Sequence, residues 1–115
     1  MADGTYRQDA TGLLVVDPYN DFISEGGQVW PRVREVVEAN GCVPHMIQIL
    51  TAARSAGLRI FFVPHHRWRP GDYETWRFLA PTQEDAARSR IFADCTWGGT
   101  FREEFTPRSG EIVAL

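Results

Sequence analysis

"LLVVDPYNDF", Leu13 to Phe22, is the stretch whose reading decides the fold. Four apolar residues run straight into Asp17, followed by a proline, an aromatic and the polar pair Asn20-Asp21. A short, continuous apolar run bounded by turn-forming residues reads as a strand buried on both faces, the habit of parallel sheets. Such a strand carries the Asp17 carboxylate to its own end, where water is scarce. Two readings of Asp17 stay open at this point. It is a catalytic group, or it is the polar end of a strand capping the next turn, with Pro18 helping to set that turn.

Working outward, "SEGGQVWP" (24–31) is a loop, and Pro31 suits the first turn of a helix, where its missing N–H costs nothing. Val33, Val36 and Val37 recur at helical spacing until Asn40-Gly41 ends or kinks the turn. Pro44 restarts the helix, and Met46, Ile47, Leu50 and Ala53 form one apolar stripe up to Gly57. "LRIFFV" (58–63) is a second strand, rich in aromatic and branched residues. Strand, helix and strand with tight junctions predict a right-handed βαβ unit and a parallel sheet. "PHHRWRPGDYETWRFLAPT" (64–82) is long, aromatic and rich in Pro and Arg, and a loop of that length is usually functional or a lid. "QEDAARSRIF" (83–92) predicts a short helix with Thr82 as its cap. Residues 94–110 are turn-rich, and "EIVAL" (111–115) reads as a third strand. One main crossover helix covers such a sheet thinly, because parallel sheets take helices on both faces. The fold class is therefore α/β, a Rossmann-like three-layer α/β/α arrangement with a parallel sheet, incomplete at its C-terminus. Residues 1–115 are expected to be the N-terminal portion of a single domain.

The composition narrows the function classes. A chain of 115 residues suffices for one small domain. Its 43% apolar and 23% charged residues place it among globular rather than disordered chains. A net charge of -3 gives no basic face for non-specific nucleic-acid binding. No apolar run approaches the roughly 18 residues of a membrane span. "MADGTYRQDATG" has neither a basic n-region nor an apolar h-region, so no signal peptide is expected. Cys42 and Cys95, without metal-ligand spacing, fit a reducing cytoplasm better than a disulfide scaffold. All twelve basic residues are arginine. A mechanism that requires a lysine cannot be completed by these residues alone.

Three segments together resemble one family. "LLVVDPYNDF" is similar to the "LLVIDxQNDF"-like opening of the isochorismatase-like cysteine hydrolases, which include nicotinamidases and N-carbamoyl amide hydrolases. "ILTAARSAGLRIFFVPHH" resembles that family's first crossover helix and second strand. "TWGGTFREEFTPRSGEIVAL" resembles its Gly-containing turn and the Pro-x-x-Gly-Asp/Glu lead into the third strand. The resemblance covers nearly the whole chain from Gly12 onward. It implies an Asp–Lys–Cys triad at the carboxyl ends of parallel strands, with Asp17 as general base. A cysteine attacks the substrate carbonyl; its thiol needs a base and a nearby cation to become a thiolate. The same acid–base group then returns the proton to the leaving amine. The family pattern places the lysine at or just after Leu115 and the nucleophile later still, and neither Cys42 nor Cys95 has that context. The implied activity is hydrolysis of a small amide or related C–N bond. Two alternatives stand beside it: a non-catalytic relative or fragment that needs a partner chain, and the vinyl-ether branch, which dispenses with the cysteine.

The remaining candidates flank the strand ends. Phe22 resembles the aromatic that lines the family's pocket, with a plain core role as the rival. Asn20 and Asp21 read as turn-stabilising. His65 and His66 sit where the second strand opens into the loop; nicotinamidase-like members place metal ligands near here in an Asp-x-His arrangement, but "PHHRW" lacks that aspartate. Adjacent strand residues also point to opposite faces. No metal and no cofactor are expected, and the histidines read as substrate-binding pocket-edge groups. Arg67, Trp68, Arg69 and Trp76 suggest an aromatic, cationic lid over a carboxylate-bearing substrate, against the alternative of a solvated loop whose tryptophans cover the core or a subunit contact. The expected partners are a small-molecule substrate and, because an unpaired apolar edge such as "EIVAL" recruits other chains, a second copy or another strand. Neither nucleic acid nor membrane is among them.

Overall fold

The computed structural model describes residues 4–115, so the first three residues of the segment read for a leader lie outside it. Three strands, β1 (Gly12–Val16), β2 (Arg59–Val63) and β3 (Ile112–Val113), form one sheet in the order β1-β2-β3. Both pairings are parallel, with Leu13 opposite Ile60, Val15 opposite Phe62 and Phe61 opposite Ile112. A short helix α1 (Asn20–Ile23) follows β1. Then come α2 (Trp30–Ala39) and α3 (Cys42–Ser55), which complete the crossover, and α4 (Pro81–Ser89) lies within the long connection to β3. This is the α/β architecture that the strand–helix–strand pattern predicts. Among the described residues no helix is long and apolar enough to cross a membrane.

Local chemistry sets the helix boundaries. Pro31 occupies the first turn of α2, where its lost N–H has no intrahelical partner to miss. Gly41 takes a left-handed conformation, with φ of 58°, and α3 starts directly after it at Cys42 rather than at Pro44. Pro44 is accommodated inside the first turn for the same reason as Pro31. At the other end, Gly57 is also left-handed, and Leu58 N–H donates to the Ala53 carbonyl at 3.0 Å, a glycine-type helix stop. The expected cap of α4 moves as well. The helix starts at Pro81, and Thr82 lies within its first turn. Pro81 presets the helical φ, and the Gln83 side chain reaches back to accept from Ala80 N–H at 2.9 Å, so no hydroxyl cap is needed.

One face of the sheet is packed. Val15, Ile60 and Phe62 meet Val43, Leu50 and Ala53 of α3, and Ile23 and Phe105 close the same core. Burying each large member of this set contributes about 1.5–3 kcal/mol. The other face is bare, which corrects the expectation that β1 is buried on both sides. Leu14 and Val16 are 59% and 56% exposed. They share their face with Phe61 and Ile112, and no described element covers that row. The apolar run is a strand made for a sandwich of which only one slice is present. The Cα radius of gyration, 16.4 Å, fits this, since a closed domain of this length measures about 13 Å.

The lead into β3 is locked from the helix side. Arg54 at the end of α3 grips Glu111 with two hydrogen bonds, Nε to Oε1 at 2.6 Å and NH2 to Oε2 at 2.9 Å. Arg108 N–H adds a third at 2.8 Å. Arg54 holds the Glu111 carboxyl below its usual range, against the opposing effect of burial.

Candidate active site

The carboxyl ends of β1 and β2 bring Asp17 and His65 together. Asp17 is left-handed, with φ of 53°, a conformation that costs a non-glycine residue energy and that Asp and Asn tolerate best. Its own N–H still pairs with the Val63 carbonyl, at 3.2 Å. The side chain turns to accept the His65 backbone N–H on Oδ1 at 2.5 Å. Among the described residues Oδ2 takes part in no hydrogen bond. Asp17 is only partly buried, so this second oxygen is available to a ligand's proton. Strand ends of open α/β sheets are where ligands bind.

The segment after Asp17 is anchored by a turn far along the chain. Tyr19 forms an antiparallel bridge with Phe101, and Arg102 N–H donates to the Pro18 carbonyl at 2.8 Å. Asn20 Nδ2 donates to the Trp97 carbonyl at 3.0 Å and to Thr100 Oγ1 at 3.1 Å, while its Oδ1 accepts from Ser24 Oγ at 2.8 Å. Asp21, 3% exposed, spends both oxygens on backbone: Gln28 N–H at 3.1 Å and Phe92 N–H at 2.8 Å. Gly98 lies against it so closely that a Cβ there would sit 2.3 Å from Oδ1. Asn20 and Asp21 thus hold the corner together.

Tyr19 is the buried centre of this corner. Its ring stacks on Phe92 at 4.6 Å, tilts against Phe101 at 5.4 Å, and lies under the Arg67 guanidinium at 5.3 Å. Its hydroxyl donates to the His65 carbonyl at 2.6 Å. Burial raises the Tyr19 pKa above its ordinary value, with Asp17 acting in the same direction and Arg67 against it. Nothing in composition or periodicity singles out Tyr19. The signal was its place in "DPYNDF", at the position where the resembling opening carries Gln.

The other predicted residues divide into two groups. His65, His66 and Trp76 line an open cavity of about 470 Å³ together with Asp72, Tyr73, Thr82 and Gln83. His66 Nε2 meets Asp72 Oδ2 at 2.8 Å, and Arg69 N–H donates to the same oxygen at 2.6 Å. The Arg69 N–H bond, followed by the His66 contact, lowers the Asp72 pKa. Trp76 meets the Tyr73 ring edge-on at 5.2 Å. Arg67 and Trp68 face elsewhere. Arg67 Nε donates to the Gly99 carbonyl at 2.6 Å, and Trp68 pairs by its backbone with Phe92 and Asp94. The Trp68 Nε1–H is buried with no hydrogen-bond partner, and Arg90 stacks on its ring at 5.3 Å. Arg69 Nε is taken by Asp94 Oδ2 at 2.9 Å, so both lid arginines are engaged within the chain. Phe22 is partly exposed and does not line this cavity; its ring lies 6.4 Å from Phe92.

The two cysteines are separate from this constellation. Cys42 opens α3 with its Sγ against Met46 Sδ at 3.9 Å, and Cys95 is exposed in a turn. A larger cavity, about 690 Å³, lies between α2, α3 and residues 102–104; Ser24 and Arg102 line it, but Asp17, Tyr19, His65 and His66 do not. Among the described residues no three His, Cys, Asp or Glu side chains converge as a metal-ligand set.

Residues 11–114 match the family model described as the isochorismatase domain. The ureidoacrylate amidohydrolase RutB of Rhizobium rhizogenes is 23% identical over 120 residues, covering 95% of this chain and 48% of its own length. RutB of Yersinia enterocolitica is 24% identical over 119 residues, covering 94% and 51%. A probable inactive nicotinamidase of Arabidopsis thaliana is 37% identical over 68 residues, 58% of this chain and 32% of that protein. The chain spans about half the length of the RutB relatives it matches.

Proposed function

The chain belongs to the isochorismatase family, and from that premise we propose that it forms the N-terminal portion of a single hydrolase domain that cleaves a small amide or related C–N bond, with Asp17 as general base. The observation that carries the reading is the state of Asp17. It sits at the end of a parallel strand in a costly left-handed conformation, one oxygen anchored and the other free. A partly exposed carboxylate oxygen left unbonded at a strand end is what a base requires, and backbone strain is often kept at functional sites. RutB relatives act by name on ureidoacrylate, which makes ureido acids the first substrate class to try. His65, His66 and Trp76, which line one cavity, are the wall that receives the substrate; Arg67, Trp68 and Phe22 lie outside that lining. Arg67 and Arg69 would exchange their internal acceptors for its carboxylate. Turnover of small amides and ureides by the full-length gene product, with and without Asp17→Asn, tests the assignment; undiminished turnover removes Asp17 from the mechanism.

A second reading is favoured by one observation: these residues include no lysine, and neither cysteine lies at the end of a strand. In this reading the chain acts with further strands supplied by another chain, which pair along the exposed edge of β3 and cover the bare face of Leu14 and Val16. Light scattering of the isolated chain distinguishes the two: self-association or capture of a partner supports it, and a stable soluble monomer opposes it. The unpaired cysteines Cys42 and Cys95 support a reducing, cytoplasmic setting.

A further inference from the structure

We propose that Tyr19 is a positioning residue for Asp17 and acts through the His65 backbone. The role rests on the reading of Asp17 as the base. His65 is held at both of its backbone polar groups by residues of the β1–α1 corner. Its N–H donates to Asp17 Oδ1 at 2.5 Å, and its carbonyl accepts from the Tyr19 hydroxyl at 2.6 Å. Two side chains two positions apart on one segment therefore clamp a single residue at the mouth of the long loop.

The clamp is rigid on the tyrosine side. The ring is fully buried between Phe92 and Phe101, with Arg67 above it and itself tied to Gly99. The phenol cannot swing away from the carbonyl, and burial keeps it protonated as a donor at neutral pH. On the other side, the Asp17 carboxylate is left with one anchored oxygen, Oδ1, and one free oxygen, Oδ2. The direction of Oδ2 follows where the His65 N–H points, and the Tyr19 hydroxyl, by fixing the next peptide plane through the His65 carbonyl, limits the φ and ψ that His65 can take. Without the hydroxyl, the His65 backbone, at the start of a 17-residue connection between β2 and α4, keeps the Asp17 bond at its N–H but loses the bond that fixes its carbonyl side.

Tyr19→Phe tests this, because it keeps the ring and its stacking and removes one oxygen. The His65 amide is read by NMR chemical shift and hydrogen exchange, alongside kcat and KM for a turned-over amide. The expected result is an upfield move of that amide, exchange about tenfold faster or more, and a kcat lower by roughly ten- to a hundredfold at nearly constant KM, the cost of misplacing a reacting group by a fraction of an ångström to an ångström. An unchanged His65 amide overturns the proposal. Failure of Asp17 as base shows separately, as undiminished turnover in Asp17→Asn, and leaves the amide response to stand or fall alone. Should Tyr19→Phe not fold, the unsubstituted chain still decides. A Tyr19 hydroxyl proton slowed in exchange by its bond to the His65 carbonyl supports the clamp, and a freely exchanging one contradicts it.

Discussion

Asp17 and Asp21 stand four residues apart and serve opposite ends. Asp21 is buried, with both oxygens spent on backbone N–H groups and a glycine pressed against it. Asp17 is half-exposed, strained in its backbone, with one oxygen committed and one free. The first is a fastener whose removal leaves two backbone donors unpaired; the second is a cost to the fold at the strand end, where we propose that the substrate binds. Burial and hydrogen-bond saturation, rather than residue type, separate the structural carboxylate from the one proposed as the base.

The largest effect on stability is expected at the fastener. Asp21→Ala leaves the N–H groups of Gln28 and Phe92 unpaired, each worth about 1–3 kcal/mol, so a loss of roughly 3–5 kcal/mol in denaturant unfolding is expected. Gly98→Ala attacks the same contact from the other side and is expected to cost about 2–3 kcal/mol by overpacking. A loss below about 1 kcal/mol in either would mean that Asp21 is not the fastener described.

A smaller effect is expected at the Arg54–Glu111 pair. It is less buried than Asp21, so Glu111→Gln should cost about 1–2 kcal/mol, between the values for exposed and buried pairs. The Glu111 pKa is lowered in the folded chain, chiefly by the Arg54 hydrogen bond. Its contribution is therefore complete above the unfolded value of 4.5 and fades as pH falls through the folded value. The acid limb of a stability–pH curve should flatten in Glu111→Gln, and an unchanged limb would separate this carboxylate from acid unfolding.

The smallest stability effect is expected at Asp17 itself. Asn tolerates the left-handed backbone nearly as well as Asp, so Asp17→Asn should shift unfolding by less than about 1 kcal/mol. Asp17→Gly, which removes the strain, should leave stability level or raise it. A strongly destabilised Asp17→Asn would turn Asp17 into a second Asp21 and erase the contrast.

Much of this was legible in the residues. The apolar run before Asp17, the branched and aromatic second strand and the Gly57 stop specified the βαβ unit, because period and punctuation are local properties. "EIVAL" read as a strand, and its pairing as β3 is shorter, Ile112–Val113, with Ala114 N–H adding one bond to Phe62. The exposed faces of Leu14 and Val16 were not legible, since burial depends on what lies across the sheet and a strand sequence states only what it is prepared to meet. The starts of α3 and α4 moved by two residues because proline is welcome within a first turn as well as at its opening. Tyr19 and Asp72 escaped because their partners, His65, Arg67 and Phe92 in one case and His66 in the other, meet them only through folding. The roles of Asn20 and Asp21 as turn-holders were readable in kind, but their partners at 92–101 lie some seventy to eighty residues away.

The central claim is that Asp17 is the base, and steady-state turnover of small amides and ureides by the full-length gene product carrying Asp17→Asn tests it most directly. The predicted result is a fall in kcat of about 10²–10⁴-fold, the usual worth of a general base, in a protein whose unfolding midpoint is unchanged. Turnover equal to that of the unsubstituted protein, with the same midpoint, would contradict it.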